Sequence, residues 1–262
     1  MARNTQVPAD HNAPPITRIL AEFVAQHPSR GWNDAVDHEA HRTFLNWLGC
    51  AVGAAKHEAA DAAIAAVNEL QPAPQATIAG RSEKVDMASA ALVNGITSHT
   101  FDFDDTHLKT IIHPAGPVAS ALLALAEHKG LAGRDVADAL VLGIDVACRL
   151  GNLVYPEHYD RGWHITGTTG MLGAAAGCAR LLKLDAQQTQ MALGIAASPS
   201  VLVVRPASRP SSVNTGTPGS ARLPGPSVTT GVSQRGSSCA SLRPTKSGCS
   251  ATPARDAEAM AT

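Results

Sequence analysis

Residues 114–130, PAGPVASALLALAEHKG, decide the fold. A proline suits the first turn of a helix, where its missing N–H would have no partner anyway. A glycine at the far end is a natural stop. Between them lie alanines and leucines, the residues most favourable to helix, and the small side chains let a neighbouring helix come close.

The same texture extends in both directions. Upstream, Ile16, Ile19, Leu20, Phe23 and Val24 form a helical stripe over residues 16–27. Residues 34–56 continue it with Phe44, Leu45, Leu48 and Val52, and residues 87–100 form another helical stretch. Downstream, residues 133–154 and 166–183 read as helices, with Thr166 as a cap, and Asp185 is placed to cap the next one. Only residues 76–80, ATIAG, resemble a strand. The expected fold class is therefore all-α, a multi-helix bundle.

Composition narrows the function. The chain has 262 residues, 44% hydrophobic and only 3% aromatic, so the core must be built from Ala, Leu, Val and Ile. A net charge of −1 gives no footprint for nucleic acid or a membrane surface. The longest apolar run, VADALVLGIDVACRL, carries Asp138, Asp145 and Arg149 and is too short and charged to span a bilayer. Cys50, Cys148, Cys178, Cys239 and Cys249 have no zinc or disulfide spacing, and the N-terminus lacks a secretory apolar run. These features fit the cytoplasm.

The texture breaks near residue 200. The last 62 residues contain no Phe, Trp, Tyr or Ile, and seven Arg/Lys face two acids, a net +5. Such a Pro/Ser/Arg-rich stretch buries too little apolar surface to offset its ordering entropy. The expected organisation is a disordered 1–15, an incomplete helical domain over 16–200, and a disordered or frameshifted tail over 201–262.

Two segments carry chemistry. The first is residues 101–114, FDFDDTHLKTIIHP. Asp102, Asp104 and Asp105 sit where a helix gives way to a loop, so one pKa should rise or a cation must be near, with His107, Lys109 and His113 as candidates. His113 precedes the proline that opens the next helix, where an anion is favoured and an imidazole can act as acid or base. Plain helix capping and ion pairing is the bland reading. A metal site lacks the His-x-x-x-His geometry that would support it. DFDDT also matches a phosphatase nucleophile motif, but no buried strand precedes it. The second segment, residues 159–177, YDRGWHITGTTGMLGAAAG, places His164 before a glycine-rich helix start. Its glycines read either as close packing or, at Gly167, as free N–H groups that hold a carboxylate, with Arg161 at the mouth as a bidentate partner.

Together, NGITSHTFDFDDTHLKTIIHPAGPVASALLALAE and RGWHITGTTGMLGAAAGCARLLKL resemble the MmgE/PrpD family over residues 16–200. The resemblance implies a large helical domain with a smaller α+β lid, a homodimer, no metal, no cofactor, a small di- or tricarboxylate as partner, and dehydratase or decarboxylase chemistry on a tricarboxylate such as 2-methylcitrate or cis-aconitate, the alternative being an epimerase or racemase of an amino- or imino-dicarboxylate. It implies catalytic roles for Asp102, His113 and His164, and a substrate contact at Thr106. Asp105, Arg161 and Gly167 join Thr106 as expected substrate contacts. The chain departs from the family where an active-site lysine and the lid are expected: residues 198–212, SPSVLVVRPASRPSS, offer no lysine. Low activity of the chain by itself is expected, either as an impaired lyase or as a non-catalytic helical fragment.

Overall fold

Residues 114–130 form the central helix of a computed structural model that describes residues 15–28 and 32–203. In chain order the helices are α1 (Ile16–Gln26), α2 (Asp34–Gly53), α3 (Glu58–Asn68), α4 (Met87–His99), α5 (Ala115–Lys129), α6 (Gly133–Val154), α7 (Glu157–Asp160), α8 (Ile165–Leu181) and α9 (Ala186–Val203). The chain is all-α, as its composition implies. One two-residue pairing interrupts it: β1 (Ala76–Thr77) runs antiparallel to β2 (Lys84–Val85), a partner that the sequence reading lacks. The expected disordered N-terminus and tail lie outside the described residues, apart from the end of α9, which continues past residue 200.

α5 is buried on nearly every face, from Ala115 and Val118 to Leu122, Leu125 and Ala126, as expected of a helix that is apolar all round. Gly130 ends it in the left-handed conformation at φ 65°, and the Leu131 N–H returns to the Ala126 carbonyl. Trp47 of α2 packs on this helix and donates its indole N–H to Ser120 at 3.0 Å. A second cluster joins Ala21 and Val24 of α1 to Leu142 and Val146 of α6, Ala176 of α8 and Leu193 of α9. Asp185 caps α9 by accepting from the Gln188 N–H, and Gln188 accepts from the Asp185 N–H in return, a reciprocal capping box.

The seam that positions the site lies between α6 and α8. A Cβ built on Gly173 would sit 2.6 Å from the Gly143 carbonyl oxygen and 2.7 Å from the Ala147 Cβ. Backbone therefore meets backbone at this crossing. The first turn of α5 also touches the second turn of α8, since a Cβ on Gly170 would lie 2.5 Å from the Pro117 ring.

Candidate active site

That contact brings two helix starts together, and each carries a histidine on its threshold. His113 stands one residue before the Pro114 cap of α5, and His164 is the cap residue of α8. The His113 backbone N–H donates to Thr166 Oγ1 at 3.0 Å, which ties the two starts. Thr166 thus does not cap its own helix, which corrects the expectation from the sequence: the cap residue is His164. Both histidines line one cleft of ≈ 880 Å³ with His99, Asp104, Thr166, Gly167 and the flank of α4 at Leu92 and Ile96.

The loop from α4 to α5 presents its acids in three different ways. Asp104 is buried and lies 3.0 and 3.1 Å, through its two oxygens, from His99 Nδ1. Its carboxylate is also 3.6 Å from His113 Nδ1. Asp102 is exposed in the left-handed region at φ 58°, with Oδ1 3.6 Å from His113 Nε2. Asp105 accepts from the Ala115 N–H at 3.3 Å and so caps the start of α5. Burial pushes its carboxyl up to about 6, aided by the charge of Asp104 and opposed by the Ala115 N–H and His113. The rings of His99 and His113 lie 4.8 Å apart. Burial, followed by the charges of His99 and His113, lowers the pKa of His164. A neutral His164 at pH 7 is a competent proton acceptor.

The expected residues divide accordingly. His113, His164 and Gly167 line the cleft. Asp102 and Thr106 stand beside His113, with Thr106 Oγ1 3.4 Å from Nδ1. Two placements correct the expectation. Arg161 does not reach the cleft; its guanidinium pairs with Glu157 one turn earlier in α7. Asp105 turns to the α5 backbone and is not a lining residue. The cations that face the aspartates also differ, because His107 bonds Thr110 Oγ1 at 2.7 Å instead. His99 is the residue that the sequence did not single out, and Asp104 stood there only as one of three crowded aspartates. A signal existed: His99 lies three residues before Asp102, at the end of a helix that points its last turn at the loop.

His99, Asp102, Asp104 and His113 each place one ligand atom within 4.8 Å of the others, a set that could hold a metal ion among the described residues. Asp104 is already engaged by His99, so the set also stands as a hydrogen-bonded acid–base cluster.

A family model, the MmgE/PrpD N-terminal domain, matches residues 18–222. The chain is 29% identical over 190 residues to a cis-aconitate decarboxylase-like protein, oryM, of Aspergillus oryzae, covering 69% of this chain and 39% of that protein. It is 25% identical over 199 residues to the cis-aconitate decarboxylase of Aspergillus terreus, covering 73% and 41%. With the human cis-aconitate decarboxylase it shares 37% over 115 residues, 42% of this chain and 24% of that one. The chain thus spans about two-fifths of the length of the first two relatives. A match over most of the sequence, with the histidines of both motif segments on one cleft, shows that the chain belongs to the MmgE/PrpD family.

Proposed function

We propose that the chain carries the acid–base half of a lyase site that removes CO₂ or water from a tricarboxylate such as cis-aconitate or 2-methylcitrate. The observation that carries this reading is the convergence of His113 and His164 on one cleft from two different helix starts. Decarboxylation breaks a C–C bond and leaves the electron pair conjugated with a remaining carboxylate. An imidazolium then delivers a proton to carbon. Dehydration needs the complementary pair, a base for the C–H α to a carboxylate and an acid for the departing hydroxyl. His113, flanked by Asp102 and Thr106, suits the acid, and His164, with its lowered pKa, suits the base. The helix starts favour the carboxylates of the substrate.

The relatives named cis-aconitate decarboxylase favour decarboxylation over dehydration. The site is expected to work in the cytoplasm and in a homodimer. Free Cys50, Cys148 and Cys178 are consistent with a reducing compartment. Among the described residues no helix is long and apolar enough to cross a membrane.

A second reading has its own support. No Lys or Arg lines the cleft among the described residues, so a tricarboxylate meets no permanent cation there. Weak binding and little turnover by this chain alone follow from that. The test is to incubate the chain with cis-aconitate and with 2-methylcitrate, and to follow products and CO₂ release by NMR. Slow product formation that His113→Ala abolishes supports the lyase reading. No product from either acid, with folded protein, supports the second reading.

A further inference from the structure

His99 lies outside both motif segments, yet its surroundings are those of an oriented acid–base group. It ends α4 and lines the same cleft as His113 and His164. Its Nδ1 is held by both oxygens of Asp104, whose side chain is 0% exposed. No hydrogen bond occupies Nε2 among the described residues, and the His99 side chain is 44% exposed. A buried carboxylate on one ring nitrogen fixes the tautomer and leaves the other nitrogen to do chemistry. We propose that Asp104 and His99 form a second acid–base dyad, in which Asp104 is the positioning residue and His99 Nε2 faces a carboxylate-bearing substrate.

The dyad explains two features that capping cannot. A carboxylate with no solvent contact needs hydrogen-bond donors, and the His99 ring is the one that faces both oxygens of Asp104. The His99 ring also sits 4.8 Å from His113, so a substrate carboxylate reaching His113 passes within contact of His99. Four histidines line the cleft, His57, His99, His113 and His164, and their imidazoles stand where no lining Lys or Arg offers a donor among the described residues. This rests on the tricarboxylate reading for the identity of the ligand, but not for the orientation of His99.

The test separates the two. Long-range ¹H–¹⁵N spectra of the histidines in the full chain report which ring nitrogen carries the proton. In the wild type, neutral His99 is expected as the Nδ1–H tautomer with a bare Nε2. Asp104→Asn offers an amide N–H to Nδ1 and is expected to switch His99 to Nε2–H, the wrong-tautomer effect seen when a triad aspartate becomes asparagine. His158, whose Nε2 bonds Thr168 Oγ1 at 2.9 Å, serves as an internal control that stays unchanged. A wild-type Nε2–H tautomer, or no switch in Asp104→Asn, overturns the dyad.

A second arm adds cis-aconitate. The dyad predicts that the His99 Nε2 resonance moves with those of His113 and His164, and that Asp104→Asn weakens this response about tenfold, the effect of one charge-assisted hydrogen bond. Movement of His113 and His164 without His99 overturns the dyad and leaves the lyase reading standing. If none of the three moves, the lyase reading fails, and the tautomer result alone decides the dyad.

Discussion

The α6–α8 seam and the loop from α4 to α5 differ in almost every respect. At the seam, glycines remove side chains so that backbones touch, and its buried residues Leu142, Val146 and Ala176 are apolar. In the loop, Phe101, Phe103 and Leu108 are exposed, Asp102 and Ile111 take left-handed φ values, and three acids crowd beside two histidines. The seam is shaped by packing. The loop is held by a few polar bonds, such as His107 N–H to the Ile112 carbonyl at 2.9 Å and Asp105 to the Ala115 N–H. A rigid helical frame lets strained, polar backbone persist where chemistry is done.

The sharpest way to break this contrast is at the seam. Gly173→Val forces a side chain into the Gly143 carbonyl, and the expected loss is about 3 kcal/mol, near the upper end for overpacking. Thermal unfolding followed by circular dichroism measures it, and an unchanged midpoint shows that the helices do not meet there. The complementary change is His113→Ala in the loop. Its stability should stay within about 1 kcal/mol of the wild type, while any turnover falls about 100-fold or more. A variant that turns over normally removes His113 from the chemistry.

Asp105 gives a pH signature. Its folded pKa of about 6 lies above the ordinary carboxylate value, so between about pH 4 and pH 6 the folded state binds a proton that the unfolded state has lost. Stability from this group is therefore present at low pH and declines as pH rises through that window. Asp105→Asn should remove the decline, worth on the order of 2 kcal/mol, while keeping an acceptor for the Ala115 N–H. Urea unfolding at several pH values checks it, and identical pH slopes in the two proteins contradict it. The smallest effect is expected at Leu108, which is 86% exposed. Leu108→Ser should change stability by less than about 0.5 kcal/mol in the same assay.

The helices were legible because their signals are local. Proline, alanine and glycine mark α5 at residues 114–130, and the Asp185 capping box marks α9. β1 was visible and β2 was not, because Lys84 and Val85 show no alternation over two residues. The site was legible as segments and not as contacts. The motif placed His113 and His164, yet the bond from His113 N–H to Thr166 spans 53 residues, and no spacing rule encodes it. Arg161 differs for the opposite reason: it pairs with a local partner, Glu157, four residues and one turn earlier. His99 was missed because it lies just inside a helix, where a lone histidine reads as surface.

The central claim is that two helix starts deliver His113 and His164 to one carboxylate-binding cleft. It is tested most directly by titrating the full chain with cis-aconitate while recording the imidazole ¹H–¹³C spectrum. The account predicts that His113 and His164 shift together along one binding curve, while His41 and His128, outside the cleft, stay in place. A curve in which His113 and His164 respond independently, or in which neither responds and the outer histidines do, contradicts it.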